Sequence, residues 1–256
     1  MNHLETNESA SLTIDLNCDL GEGIGNDALI MPYISSANIA CGYHAGDDTT
    51  MKSTIELALR HGVALGAHPS YLDRENFGRT DLLLSPPEVY DIVTDQVNKL
   101  TTIAQTFGTK LHHVKPHGAL YNKAATTRSL AAIIALAVKD VDDELMIYGS
   151  RALVSEARKI GMRAAHEVFA DRAYNADGSL VSRKTPGHFI EDNQKAVDQV
   201  IRMVTTGKVM TISGEEIDII ADTVCIHGDG PHAPELAKAI RMSLVAHKIN
   251  ISKQLI

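Results

Sequence analysis

The sequence predicts an α/β protein folded as one (β/α) barrel with seven strands. Short apolar segments alternate with amphipathic helices, which is typical of a parallel sheet with crossover helices. No stretch rich in Pro, Gly or Ser divides the 256 residues into two units. Polar clusters follow nearly every predicted strand, as they do where the loops of a barrel meet at one end. An open sheet would instead concentrate its site at one switch point.

The strand segments are short, apolar and evenly distributed. We predict barrel strands at residues 12–17, 37–40, 63–67, 111–115, 145–148, 163–169 and 223–227, and a side hairpin at 209–219. Helices fit between most of them. Ser85 and Pro86 form a helix start, and helix-ending glycines follow three apolar stripes at Gly62, Gly108 and Gly207.

Composition and charge exclude several classes of protein. A hydrophobic content of 44% with 22% charged residues is ordinary for a globular domain and excludes wholesale disorder. Lys+Arg 24 against Asp+Glu 32 gives a net charge of −8, and no basic run is present, so we expect no nucleic-acid partner. An anionic small molecule remains compatible with this balance, because local charge decides its binding. The unusual feature of the composition is the presence of twelve histidines in a chain without Trp.

The amino-terminal segment and the cysteines predict a cytoplasmic protein. Residues 1–11 are polar, without the apolar core or basic start of a signal peptide, and we predict a disordered tail before a domain at 12–256. The longest apolar stretch, 130–138, is far shorter than the ~20 residues of a membrane span, so no membrane association is expected. The three cysteines form no CxxC pair and are predicted to be buried packing residues.

The first strand carries polar residues at every second position. Asp15, Asn17 and Asp19 share one face, because side chains two apart on a strand point the same way, and Glu22 follows in the next loop. Three polar groups on an inward face are costly unless they are paired or functional. We favour the functional interpretation, with a polar network at the bottom of the barrel as the alternative.

Histidines follow the next two strands. The second strand runs through Asn38 into a loop where Gly42 and Gly46 flank His44 and allow a tight turn around it. The third strand ends at His68. Both imidazoles are therefore predicted to lie at the mouth of the barrel.

The fourth strand alternates His113, Lys115 and His117, with Tyr121 beyond it. A lysine on an inward strand face must pair with a carboxylate or bind an anion, because its isolated burial is prohibitive. The carboxylates of the first strand are its expected partners.

The sixth and seventh strands add further polar residues to the same mouth. Glu167 lies on the sixth strand, Asp171 and Arg172 follow it, and the seventh strand ends with His227 and Asp229.

Several familiar motifs are absent. A dinucleotide loop starting at Gly21 lacks its third glycine, because Asn26 stands there, and no GxxxxGK[ST] phosphate loop exists. An HExxH metal motif starting at His166 fails at Ala170, and no GxSxG nucleophile elbow is present.

Six blocks in register resemble a known family. They are DLNCDLGE at 15–22, SANIACGYHAGD at 36–47, GAHPS at 66–70, VKPHGALYN at 114–122, EVFADR at 167–172 and CIHGD at 225–229. Together they are similar to the signature blocks of the LamB/YcsF family. The resemblance implies a seven-stranded barrel of the glycoside hydrolase and deacetylase type, which agrees with the strand count.

The resemblance also implies an activity. Members of this family form the A subunit of the bacterial-type 5-oxoprolinase, and the reaction is 5-oxo-L-proline + ATP + 2 H₂O → L-glutamate + ADP + phosphate. It implies subunits B and C as partners and ATP with Mg²⁺ as its counter-ion. Because the chain has no phosphate loop, we expect the ATP site on the partners or at a shared mouth. The sequence leaves open whether the chain is active alone and whether it forms a homo-oligomer.

The residue patterns and the resemblance together predict the site. The candidate catalytic residues are Asp19, Glu22, His44, His68, Lys115 and His117. The candidate substrate-binding residues are Asp15, Asn17, Asn38, Tyr121, Asp171, Arg172, His227 and Asp229. Carboxylates and imidazoles would act as acid and base, and Lys115 and Arg172 would hold carboxylate or phosphoryl oxygens.

Two alternatives remain open from the sequence. Asp15 or Asp19 with His44 and His68 could hold the metal of a deacetylase or amidase, although the local HxxxH-type spacing is missing and we expect no protein-bound catalytic metal. The chain could also be a non-catalytic subunit that carries substrate, because a fold alone does not establish catalysis.

Overall fold

A computed structural model describes residues 12–230 and 232–254, so the predicted tail at 1–11 lies outside the described residues. The strands are β1 (Thr13–Leu20), β2 (Ser36–Ala40), β3 (Ala64–His68), β4 (His113–Val114), β5 (Met146–Gly149), β6 (Arg163–Phe169), β7 (Lys208–Met210), β8 (Glu216–Asp218), β9 (Thr223–Ile226) and β10 (Asn250–Ile251). β1 to β6 and β9 form a closed barrel of seven parallel strands, which confirms the predicted fold. Pairing of β1 with β9 closes it.

Helices surround this barrel. They are α1 (Asp27–Ile30), α2 (Asp48–His61), α3 (Pro86–Thr106), α4 (Gly118–Thr126), α5 (Arg128–Val141), α6 (Arg151–Lys159), α7 (Asn193–Thr206) and α8 (Ala233–Ala246). Their apolar faces pack against the outward side chains of the strands in one large hydrophobic core. β7 and β8 pair antiparallel as the predicted hairpin. Among the described residues, no helix is both long and apolar enough to cross a membrane.

The helix ends follow the predicted local signals. Gly62 and Gly207 cap α2 and α7 in the left-handed conformation, with φ of 67° and 65°. Ser85 and Glu88 form a capping box at the start of α3. These boundaries were therefore predictable from short stretches of sequence.

The fourth strand is shorter than predicted. β4 contains only His113 and Val114, whereas the sequence suggested residues 111–115. Hydrogen bonds to β3 nevertheless continue on both sides, from His112 N to Leu65 O and from Lys115 N to Ala67 O. The backbone therefore still places Lys115 inside the barrel.

Polar side chains fill the amino-terminal half of the barrel. Asp15 accepts hydrogen bonds from the hydroxyls of Ser36 and Thr223, at 2.7 and 2.6 Å. One layer higher, Asn38 donates to Asn17 Oδ1 at 2.7 Å. These groups are fully buried, and their mutual hydrogen bonds offset the cost of removing them from water. The network orients the side chains of the next layer at the mouth.

Gly66 makes room for the imidazole of His113, and its replacement is expected to destabilise the barrel. A Cβ at Gly66 would overlap the ring of His113, whose Nε2 lies 2.8 Å from Asn38 Oδ1. Gly66→Ala should therefore lower the free energy of unfolding by about 1–3 kcal/mol, as overpacking does. Urea denaturation measures this change.

The matched control is Gly230→Ala. A Cβ there meets no atom of the described residues within 4 Å, so a change within about 0.5 kcal/mol is expected. Equal effects of the two substitutions would contradict the packing argument.

Candidate active site

The carboxyl ends of the barrel strands bring most of the predicted site residues together. β1 supplies Asp19 at its end, β3 supplies His68, and the chain after β4 supplies Lys115. All three side chains are buried. Charged groups are seldom buried without specific partners, so these buried side chains mark the mouth as a candidate functional site.

Lys115 lies at the centre of the barrel between two carboxylates. Its Nζ is 2.7 Å from Asp19 Oδ1 and 2.9 Å from Glu167 Oε1. The Sγ of Cys225 lies 2.9 Å away on the third side. Burial alone lowers the pKa of Lys115, but the charges around it, Asp19 foremost, raise the pKa well above its usual value. Lys115 is therefore a fixed cation.

Asp19 connects Lys115 with the histidines. Asn38 donates to its Oδ1 at 2.8 Å, and its Oδ2 lies 3.4 Å from His68 Nε2. Burial raises the pKa of Asp19, yet the neighbouring His68 and Lys115 side chains hold that pKa well below its ordinary value. The anionic form of Asp19 is therefore favoured.

A second group of side chains, which we call the histidine cluster, consists of Glu22, His44, His68 and His117. One ligand atom of each lies within 4.8 Å of all the others. The rings of His44 and His117 stack with centroids 3.8 Å apart, and Phe77 packs edge-on against both. The cluster is buried, with His44 only 1% exposed.

Two close backbone approaches make this cluster possible. Gly46 has φ of 74°, and a Cβ there would lie 2.5 Å from the carbonyl oxygen of Gly21, so the loops after β1 and β2 touch. This contact brings Glu22 next to His44. Gly78, with φ of 66°, leaves space that both His44 and His117 occupy.

The protonation preferences in the cluster suit acid–base chemistry. Burial raises the pKa of Glu22 well above its usual value, and the nearby Asp19 and Asp229 carboxylates add to the effect. Burial also lowers the pKa of His44 and of His117 well below the usual range. These shifts favour the protonated form of Glu22 and the neutral forms of His44 and His117, which are a general acid and general bases.

A second polar group is formed by side chains that follow β6 and β9. His227 Nδ1 is 2.9 Å from Asp171 Oδ1, and Arg183 Nη2 lies 3.2 Å from His227 Nε2. Because arginine only donates, Nε2 accepts and Nδ1–H donates to Asp171. Arg79 pairs with Asp229 at 2.6 Å. Arg79 and Arg183 are exposed cations beside this mouth.

A cavity of about 460 Å³ opens beside these residues. Asp171, His227 and Asp229 line one wall, and Phe189 and Leu236 line another. The volume is in the range of small-molecule sites, and the walls combine a few polar groups with apolar surface. The cavity therefore adjoins the Asp171–His227 pair at the mouth.

Comparison with known proteins places this site in a family. Residues 14–255 match the LamB/YcsF family. The chain belongs to the LamB/YcsF family. A protein of Brevibacillus brevis, named as the A subunit of 5-oxoprolinase, is 50% identical over 247 residues, which are 94% of this chain and 97% of that protein.

Solved structures agree with this assignment. The lactam utilization protein of Thermus thermophilus superposes with a TM-score of 0.89 at 43% identity, over 95% of this chain and 100% of that one. The peptidoglycan deacetylase PdaC of Bacillus subtilis superposes with a TM-score of 0.51 at 15% identity, over 94% of this chain and 87% of that one. The latter likeness shows the fold alone and confirms the predicted deacetylase-type barrel.

In this LamB/YcsF protein some predicted site residues lie away from the mouth. Asp15 lies at the amino-terminal end of the barrel, where the hydroxyls of Ser35, Ser36 and Thr223 satisfy its carboxylate. Asn17 lies one layer above it and also contacts Thr223. The alternative interpretation of a polar network at the barrel bottom describes Asp15 better than a substrate contact does.

Arg172 and Tyr121 are also enclosed. The Arg172 guanidinium donates to the carbonyl oxygens of Val181 and His188, and burial, with the nearby Arg183, lowers its pKa to about 10. Its donors therefore hold the loop after β6. Tyr121 packs edge-on against Phe169, and burial raises the pKa of its hydroxyl.

Several residues of the mouth were not among the sequence candidates. Ser70 contacts His44, Phe77 covers the histidine cluster, and Arg79 and Arg183 supply the exposed positive charge. Glu167, which the sequence placed on the sixth strand without a role, pairs with Lys115. The inward alternation of β6 could have identified Glu167, but the loop residues carry no such local signal.

The three cysteines are buried, as predicted. Burial raises the pKa of Cys41 to about 12 and that of Cys225 well above its usual value. They are therefore thiols and packing groups, and none is an activated nucleophile.

Proposed function

We propose that this chain is the A subunit of an ATP-dependent 5-oxoprolinase, which converts 5-oxo-L-proline to L-glutamate with subunits B and C. The observation that carries the proposal is its near-complete alignment with a protein named as the A subunit of 5-oxoprolinase, 50% identical over 97% of that protein. The mouth of the barrel adds chemical support, because it combines acids, bases and cations.

The reaction needs activation because a five-membered lactam is an unstrained amide. ATP can transfer its γ-phosphoryl group to the lactam oxygen, which ends the amide resonance and releases ADP. One water then adds to that carbon, and the ring C–N bond breaks as its nitrogen takes a proton. The resulting acyl phosphate is hydrolysed by a second water to the carboxylate and phosphate. The two waters account for the overall stoichiometry.

The barrel would supply acid–base groups for these steps. The neutral imidazoles of His44 and His117 suit a base that takes a proton from water. The raised pKa of Glu22, caused by burial and the Asp19 charge, suits an acid that protonates the leaving nitrogen. Asp19 and Lys115 would orient His68 and supply a fixed charge beside the reacting carbon.

The cations of the mouth would hold the anionic parts of the substrate. Arg183 contacts His227, and Arg79 pairs with Asp229, so both guanidinium groups lie at the entrance. Arginine suits carboxylate and phosphoryl oxygens because its planar fork binds two oxygens at once. We assign this role to Arg79 and Arg183 in place of Arg172, whose donors bind backbone carbonyls.

ATP and Mg²⁺ are assigned to the partner subunits or to a mouth shared with them. The sequence contains no phosphate loop that would cradle a nucleotide on this chain alone. We therefore expect activity from the whole complex. We also expect a cytoplasmic location, because the three cysteines are free thiols, as is usual in a reducing compartment.

Reconstitution tests the proposal. We expect ATP-dependent conversion of 5-oxo-L-proline to glutamate by the three purified subunits together, and no conversion when this chain is omitted. ATP-independent hydrolysis of an acetylated or cyclic amide by this chain alone would favour the deacetylase or amidase alternative and overturn the proposal. Unchanged turnover by B and C without this chain would overturn it as well.

A further inference from the structure

We propose that Glu22, His44, His68 and His117 bind a single divalent transition-metal ion, of which Zn²⁺ is the best match. This inference departs from the expectation, drawn from the sequence, of no protein-bound catalytic metal. It concerns the chain by itself and does not depend on the proposed reaction.

Three imidazoles and one carboxylate converge on a point inside the protein. His44 Nε2 lies 3.3 Å from Glu22 Oε1, His117 Nδ1 lies 3.9 Å from that oxygen, and His117 Nδ1 lies 2.9 Å from His68 Nε2. The four groups come from segments at or after the ends of four different strands. Such convergence of ligand-type atoms in a buried place is costly without something to bind.

The hydrogen bonds of His68 and His117 show that the inner nitrogen of each ring carries no proton. His68 Nδ1 lies 2.7 Å from the carbonyl oxygen of Lys115, and His117 Nε2 lies 2.9 Å from that of Phe77. A carbonyl oxygen only accepts, so each of these nitrogens carries the ring proton. The two inner nitrogens, 2.9 Å apart, are then both lone pairs facing each other.

His44 presents a third lone pair to the same point. The hydroxyl of Ser70 donates to the carbonyl oxygen of Tyr71 at 2.9 Å, so it must accept from His44 Nδ1 at 2.9 Å. His44 Nε2 therefore has no proton and faces Glu22 Oε1. Within the described residues, neither of these two buried atoms has a hydrogen-bond partner.

A metal ion satisfies all of these lone pairs at once. Protein-bound metals are held by histidines whose other ring nitrogen donates to an oxygen, which is the pattern of all three imidazoles here. Imidazole and carboxylate ligands suit Zn²⁺, with bonds of about 2.0–2.1 Å that separate tetrahedral ligands by about 3.3 Å. The 3.3 Å between His44 and Glu22 fits this spacing, and the 2.9 Å between His68 and His117 is only slightly shorter.

The neighbouring Asp19 lies outside the group of four side chains whose ligand atoms all lie within 4.8 Å of one another. Lys115 and Asn38 both donate to its Oδ1, while its Oδ2 lies 3.4 Å from His68 Nε2. Asp19 thus lies beside the proposed site as a compensating charge. With Zn²⁺ bound, Glu22 would be a carboxylate ligand and His44 and His117 would be imidazole ligands, so the acid and base roles given above describe the metal-free cluster. The ion itself would then supply polarisation of a carbonyl oxygen and a bound water of lowered pKa.

Zinc binding by the isolated chain tests the proposal without substrate, ATP or partner subunits. Chelator-treated protein is titrated with Zn²⁺ by calorimetry, and the zinc content is measured by mass spectrometry. We expect one Zn²⁺ per chain and a raised melting temperature. Glu22→Gln and His44→Ala should weaken binding by about 100-fold or more, and Ser70→Ala, which removes the acceptor of the His44 Nδ1 proton, by about 10-fold.

The control is Asp171→Asn, which alters a carboxylate–histidine pair outside the histidine cluster and should leave zinc affinity unchanged. Melting of the zinc-free variants shows whether each is folded. Absence of saturable binding would overturn the proposal and indicate that extra protons satisfy the cluster. Equal affinity of wild type, Glu22→Gln and His44→Ala would overturn it too. Both results leave the reconstitution experiment, and hence the proposed reaction, unaffected.

Discussion

Lys115→Met is expected to lower the free energy of unfolding by about 3–5 kcal/mol, the cost of breaking a buried ion pair. The substitution leaves the carboxylates of Asp19 and Glu167 buried without their shared cation. Urea denaturation at about pH 7 measures the loss. Turnover of the reconstituted complex should fall as well, because Asp19 and His68 lose their fixed charge partner.

The stability of Lys115→Met should also depend on pH in a specific direction. Without Lys115, burial and mutual repulsion raise the folded-state pKa of the two carboxyl groups above their unfolded values. The folded state then binds more protons than the unfolded state, so stability rises as the pH falls. The deficit relative to wild type should therefore shrink between about pH 7 and about pH 5.

Lys110→Met is the matched control for this prediction. Lys110 also pairs with a carboxylate, Glu144 at 3.4 Å, but its side chain is 81% exposed. Exposed pairs contribute about 0–1 kcal/mol, so little change is expected. Comparable losses in the two variants would contradict the role given to Lys115.

The second large effect is expected for His44→Ala. This substitution removes an imidazole of the histidine cluster, which stacks on His117 and faces Glu22. Turnover of 5-oxo-L-proline by the complete complex should fall by about 10²–10⁴-fold, the usual contribution of a general acid or base. Initial rates of glutamate formation at saturating ATP measure it.

His247→Ala is the control for His44→Ala. His247 is exposed just after α8, and its Nδ1 contacts only the carbonyl oxygen of Ser243. Its removal should leave turnover unchanged. Circular dichroism melting of both variants separates lost chemistry from lost fold. A folded His44→Ala variant with wild-type turnover would show that the reaction takes place elsewhere in the complex.

The sequence by itself determined the framework of this protein. Strand positions, helix caps and the inward face of β1 follow from patterns a few residues long. The structure repeats them, except that β1 extends to Leu20 and β4 is shorter than predicted. The buried lysine required carboxylate partners on energetic grounds alone, and Asp19 was correctly expected as one of them. Histidines flanked by glycine or at strand ends were correctly placed at the mouth, because the local geometry of a strand end limits where such side chains can point.

Only the tertiary structure decided which of these side chains act together. Glu22 meets His117 across 95 residues, and Arg79 meets Asp229 across 150, through loops whose paths no local pattern encodes. Depth inside the barrel was equally hidden, because the alternation that puts Asp15 and Asp19 on one face does not say which of them reaches the mouth. The proton positions that point to a metal depend on carbonyl groups of Lys115 and Phe77, and these are fixed only once the barrel has closed.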